Sequence, residues 1–103
     1  MPRKSETFSR FDPAEHLTTK AQIAAYLEAA LEEGGDDPGF MAEALGVIAR
    51  ARNMSELARA AHISRDGLYK ALSKDGNPSF GTVLKVAKAL GLKLTVQPAR
   101  KAA

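Results

Sequence analysis

Residues 54–73 read MSELARAAHISRDGLYKALS, and the spacing of apolar residues within them decides the fold. Asn53-Met54-Ser55-Glu56 has the cap-x-x-Glu form that starts a helix, and Leu57, Ala58 and Ala61 then fall on one face. His62-Ile63-Ser64 interrupts that pattern. Ser64 is a strong N-cap for a second short helix, Arg65 to about Ser73, with Leu68, Ala71 and Leu72 facing inward. A small Ala58 at the crossing and an apolar Ile63 plugging the turn complete the layout of a helix-turn-helix, whose second helix enters the DNA major groove.

The outer face of that second helix has the chemistry such a role needs. At about 100° per residue, the arc opposite Leu68 and Leu72 contains Asp66, Tyr69, Lys70 and Ser73, with Arg65 in the first turn. Arg65 has the fork that pairs with guanine, Asp66 accepts from cytosine or holds Arg65, and Tyr69 offers a ring to a thymine methyl or a phenol to phosphate. Lys70, Lys74 and Arg59 suit phosphates, which position a helix without specifying sequence. Ser64 at the cap and Asn77 in the following turn complete the candidate DNA-binding set. The alternative is a solvated face with an Arg–Asp pair and a part-buried tyrosine.

Working outward, two helices precede this unit. Ile23, Tyr26, Leu27, Ala30 and Leu31 follow Thr19 at helical spacing and end at Gly34-Gly35. Asp36-Asp37-Pro38 caps the next, whose stripe is Met41, Ala44, Leu45 and Ile48, running to about Ala51. After the turn Asp75-Gly76-Asn77-Pro78, Ser79 caps a fifth helix with Phe80, Val83, Leu84, Ala87 and Leu90 inside, ended by Gly91. Leu92, Leu94 and Val96 then alternate with polar residues, the period of a strand, which must pair with the N-terminal arm, a second copy of the chain or another protein. The expected architecture is mainly all-α. It has a flexible N-terminal arm over residues 1–18, one helical domain over 19–98 with the two-helix unit at 54–73, a strand at 92–97, and a basic tail over 99–103.

Composition narrows the class. A chain of 103 residues with 45% apolar and 26% charged residues fits one small domain, too small for a deep substrate pocket beside a full core. There is no cysteine, so disulfides and thiolate metal sites are excluded, and His16 and His62 lie far apart in sequence. Neither a Gly-rich phosphate loop nor a nucleophile–base–acid set can be assembled. We therefore expect no enzyme, no cofactor and no metal. The absence of a long apolar run or a signal core points to a cytoplasmic protein without a membrane partner.

The net charge of +3 hides an asymmetry. Residues 1–53 carry six Lys/Arg against nine Asp/Glu, net −3, while residues 54–103 carry nine against three, net +6. The basic half suits a polyanion.

Met54–Ser73 followed by Lys74-Asp75-Gly76-Asn77-Pro78-Ser79 resembles the Cro/C1-type helix-turn-helix of phage repressors, with His62 standing where that family commonly has a turn glycine. Over residues 8–98 the resemblance extends to the addiction-module antidote proteins, a HigA-like antitoxin family. It is carried by Phe11-Asp12, Ile23-Ala24-Ala25-Tyr26-Leu27, Ala44-Leu45-Gly46, Ser64-Arg65-Asp66-Gly67-Leu68-Tyr69-Lys70-Ala71-Leu72, Gly76-Asn77-Pro78-Ser79-Phe80 and Ala89-Leu90-Gly91-Leu92-Lys93-Leu94. The resemblance implies a homodimer that binds a RelE/HigB-like ribonuclease toxin and represses its own operon by binding operator DNA. An acidic N-terminal half would complement a basic toxin, which makes Glu28, Glu32 and Glu33 candidate toxin contacts, together with Asp36 and Asp37 and with Phe8 and Phe11 as apolar anchors. A stand-alone repressor with no toxin partner is the alternative reading.

Overall fold

The computed structural model of the chain describes residues 17–99, which form five helices: α1 Lys20–Gly34, α2 Pro38–Ala51, α3 Met54–Ala61, α4 Arg65–Ala71 and α5 Phe80–Ala89. Each begins where a side chain accepts one of the amide hydrogens that the first turn leaves free. Thr19 and Gln22 form a reciprocal capping box at α1, and Asp37 Oδ1 accepts from Gly39 and Phe40 N–H at α2, with Pro38 just inside. Asn53, Ser64 and Ser79 accept from Glu56, Gly67 and Thr82 N–H at 3.2, 2.9 and 3.1 Å. Each such cap stabilises its helix by about 1 kcal/mol, which matters most for α3 and α4 because they are only eight and seven residues long.

The helices share one core. Ile23 from α1, Ile48 from α2, Leu57 and Ala58 from α3, Leu68 from α4 with its C-cap Leu72, and Val86 from α5 with its C-cap Leu90 are packed in a single buried cluster, which Leu17 joins ahead of α1. α1 packs on α2, α2 on α3, and α3 on both α4 and α5, so α3 is the hub. Ile63, half-buried, closes the α3–α4 turn against the same cluster.

Two chain reversals use the same device. At Gly91 (φ 79°), Leu92 N–H donates to Ala87 C=O and Gly91 N–H to Lys88 C=O, a Schellman closure of α5. At His62 (φ 60°, ψ 42°), Ile63 N–H donates to Ala58 C=O and His62 N–H to Arg59 C=O, the same closure of α3 with a side chain in the left-handed position. The absence of a glycine there leaves the turn geometry intact.

Three expectations are corrected. Leu31 is 56% exposed, because α1 buries its Ile23–Ala30 stripe against α2 and the turn carrying Leu31 points off that stripe. On α5 the inward stripe is Val83, Val86, Ala87 and Leu90, so Phe80 (72% exposed) and Leu84 (43% exposed) face solvent. At about 100° per residue, Leu84 lies too far around the helix to reach the core. The strand expected at 92–97 does not form: Leu92 packs on the core, but Leu94 and Val96 are exposed, and no described residue offers a ladder to pair with.

A glycine in the middle of α2 seats the end of α4. Gly46 is buried, and a Cβ there would overlap the carbonyl oxygen of Leu72, so only glycine lets α2 approach the last turn of α4 this closely. Gly46→Ala should therefore destabilise the protein despite the gain of about 1 kcal/mol in helix propensity, because backbone overpacking costs about 1–3 kcal/mol; chemical denaturation should show a lowered midpoint. His62→Gly should act oppositely, raising stability by up to about 1 kcal/mol through relief of the left-handed side-chain conformation, read as an increased melting temperature.

Candidate functional site

Two surfaces carry chemistry, and they lie on different helices. The first is the outer face of α4. Leu68 and Leu72 are fully buried, and this fixes the rotation of the helix so that Arg65, Asp66, Tyr69 and Lys70 are all exposed. Tyr69 is 53% exposed, unusual for a tyrosine that packs as core.

Arg65 is not held by Asp66. Its Nε donates to the Ser55 hydroxyl at 2.9 Å, bridging the first turns of α3 and α4. One donor of the guanidinium is used in orientation, and its two terminal nitrogens make no hydrogen bond among the described residues. Ser55 was missed in the sequence because it stands beside Asn53 and Glu56, where its signal merges with capping. Ser73 has a local role as well: its hydroxyl donates to Lys70 C=O at 2.9 Å and closes the end of α4. Lys74 and Asn77 are exposed in the connection to α5, and Ser64 uses its oxygen as the α4 cap. At Gly67 a Cβ would stand 2.8 Å from Ser64 Oγ, so glycine preserves the cap.

Other basic side chains are exposed on α3 and α5. Arg59 on α3 is exposed, and Lys85 and Lys88 on α5 line an open depression of about 400 Å3 with His62 at the seam between those helices.

The second surface is an open groove of about 270 Å3 between α1 and α2. Each helix contributes residues at i, i+3, i+4 and i+7: Tyr26, Ala29, Ala30 and Glu33 from α1, and Phe40, Glu43, Ala44 and Val47 from α2. Ala30 and Ala44 are buried at its base, Tyr26, Phe40 and Val47 form its sides, and Glu33 and Glu43 are exposed at its edge. Burial pushes the Tyr26 phenol above the ordinary tyrosine range, and the nearby Glu43 and Glu33 carboxylates add to the rise while Arg50 opposes it. Of the sequence-derived acidic candidates, Glu33 edges the groove. Glu28 and Glu32 are exposed elsewhere on α1, and Asp37 is the α2 cap. Glu43 was not singled out in the sequence. Phe8 and Phe11 lie outside the described residues.

Residues 7–98 match the family described as "Probable addiction module antidote protein". The chain belongs to that family. It is also 55% identical over 96 residues to an uncharacterized protein of Haemophilus influenzae, an alignment covering 93% of this chain and 97% of the relative. No solved structure matches it. An antidote is an antitoxin, and membership of such a family implies a toxin as partner. No helix among the described residues is long and apolar enough to cross a membrane.

The raised Tyr26 pKa has a definite sign in stability. The folded state favours the neutral phenol, so this contribution is present below the unfolded tyrosine value of about 10 and is lost as pH rises through the folded value. In a Tyr69→Phe variant Tyr26 is the only tyrosine left. Its absorbance titration should have a midpoint above about 10, returning to that value on unfolding.

Proposed function

We propose that this antitoxin neutralises a RelE/HigB-like ribonuclease toxin and represses its own operon as a cytoplasmic homodimer that reads DNA with α4. It acts by binding and performs no catalysis. The observation that carries the DNA half is the solvent-facing set Arg65, Asp66, Tyr69 and Lys70 on a helix whose opposite side is fully buried. The α3–turn–α4 unit is read as a Cro/C1-type helix-turn-helix, and the family as HigA-like, on the sequence resemblance described above. Arg65, oriented through Ser55, takes guanine, and Lys70, Lys74 and Arg59 take backbone phosphates.

A two-fold dimer would place two α4 helices in successive major grooves about 34–36 Å apart on a pseudo-palindromic operator. The exposed Phe80, Leu84, Leu94 and Val96 support self-association, because they are large apolar side chains left without cover in one copy. The unpaired segment 92–97 supports it too, since a second copy would supply the missing ladder.

Arg65→Ala should weaken binding to the promoter of this gene by about 1–3 kcal/mol and relax specificity at one base pair, while Lys74→Ala should weaken binding to all sequences and flatten its salt dependence. Both are measured by titrated gel shift at several salt concentrations. Unchanged promoter affinity in an Arg65→Ala/Tyr69→Ala/Lys70→Ala variant would remove α4 as the reading helix. Failure of the co-transcribed neighbouring gene product to co-purify with the chain would remove the toxin half and leave a stand-alone repressor.

A further inference from the structure

We infer that the α1–α2 groove is the docking site for the toxin, and that it takes an apolar side chain from a segment flanked by Lys or Arg. The inference rests on the antitoxin reading above and adds to it the site and the chemistry of the contact. Three observations carry it. The groove has apolar sides at Tyr26 and Phe40 over a base of Ala30 and Ala44, and at about 270 Å3 it exceeds the cavity of about 150 Å3 that accommodates a benzene. It is therefore large enough for an aromatic or a branched aliphatic anchor. Its edge is acidic on both helices, through Glu33 and Glu43, and neither carboxylate enters a side-chain hydrogen bond among the described residues. Finally, Phe40 is held in place from below: a Cβ on Gly34 would stand 2.5 Å from the Phe40 ring, so the ring lies directly over the end of α1.

Charge selects the occupant. Phosphates of DNA are repelled by Glu33 and Glu43. A second copy meeting this face about a two-fold axis would bring two acidic groove edges into one interface, since such an interface uses one patch on both subunits. A protein that grips RNA carries the opposite charge, because binding phosphates requires Lys and Arg. Two helices presenting i, i+3, i+4 and i+7 side chains to one groove match the recognition of an amphipathic helix by its apolar face. On this view Glu33 makes toxin contact while Glu28 and Glu32, on the same helix but away from the groove, do not.

The test uses the full chain and the product of the co-transcribed neighbouring gene, with affinity and dissociation rate measured at moderate salt. Glu33→Lys/Glu43→Lys and, separately, Ala29→Trp, which places an indole over the groove, should each raise Kd at least tenfold. Glu28→Lys/Glu32→Lys, the same charge change off the groove, should stay within threefold. Promoter binding should be retained in all three, which reports an intact fold. No binding by the unaltered chain defeats the antitoxin reading itself. Binding by the unaltered chain with no loss in the groove variants, or an equal loss in both charge-reversal pairs, overturns the groove as the site while leaving that reading standing. Loss of self-association in sedimentation, or unchanged toxin affinity with a lowered melting temperature that deletion of residues 1–16 reproduces, assigns the groove to a second copy or to the chain's own N-terminal segment and overturns the inference equally.

Discussion

A seven-residue helix has no stability of its own, because nucleation costs more than so few hydrogen bonds return. Everything displayed on α4 therefore depends on the burial of Leu68 and Leu72, each worth about 1.5–3 kcal/mol, among Leu57 and Ala58 of α3, Ile48 of α2 and Val86 of α5. Those two leucines set the rotation of the helix, the Ser64 cap sets its start, and the contact of the Leu72 carbonyl with Gly46 sets its end. With three constraints on seven residues, the outward direction of Arg65, Tyr69 and Lys70 follows without any contact of their own. Arg65 receives one more constraint, its bond to Ser55, and that bond ties it to the helix on which α4 rests.

The same core separates two chemistries. α3 packs against α2, α4 and α5, and α1 packs on α2. The charge asymmetry of the chain follows this arrangement, since α1 and α2 hold the acidic groove edge while Arg59, Arg65, Lys70, Lys85 and Lys88 belong to α3–α5. In the proposed function the chain meets a toxin and DNA, and opposite charges on different helices would let each partner be attracted without repelling the other. Burial is the main reason the Tyr26 phenol holds its proton, and Glu43 and Glu33 add to it while Arg50 opposes them.

Local signals in the sequence were informative because caps and turns are short-range physics. Thr19, Ser64 and Ser79 each accept an amide hydrogen three residues on, and Gly91 takes the left-handed turn, as their types and positions imply. His62, standing where the resembled family commonly has a turn glycine, takes the left-handed conformation that a glycine would adopt there. Ser55, Glu43 and Gly46 were not legible as site or seating residues. Each acts through a residue ten or more positions away, Arg65, Tyr26 and Leu72 respectively, and no periodicity within one helix encodes such a pairing.

By itself the sequence determined the five helices, their boundaries to within a residue or two, and the arc of α4 that faces outward, because these depend on spacing and capping inside single segments. Only the tertiary structure decided which apolar residues are core. Phe80, Leu84 and Leu31 satisfy a helical stripe as well as their buried neighbours do, yet the packing of α5 and α1 uses only part of each stripe and leaves these three in solvent. The tertiary structure likewise left residues 92–97 unpaired, since a strand requires a partner that alternation along one segment cannot supply. It also brought Tyr26 and Glu33 beside Phe40 and Glu43, because a groove belongs to two helices and to the angle between them.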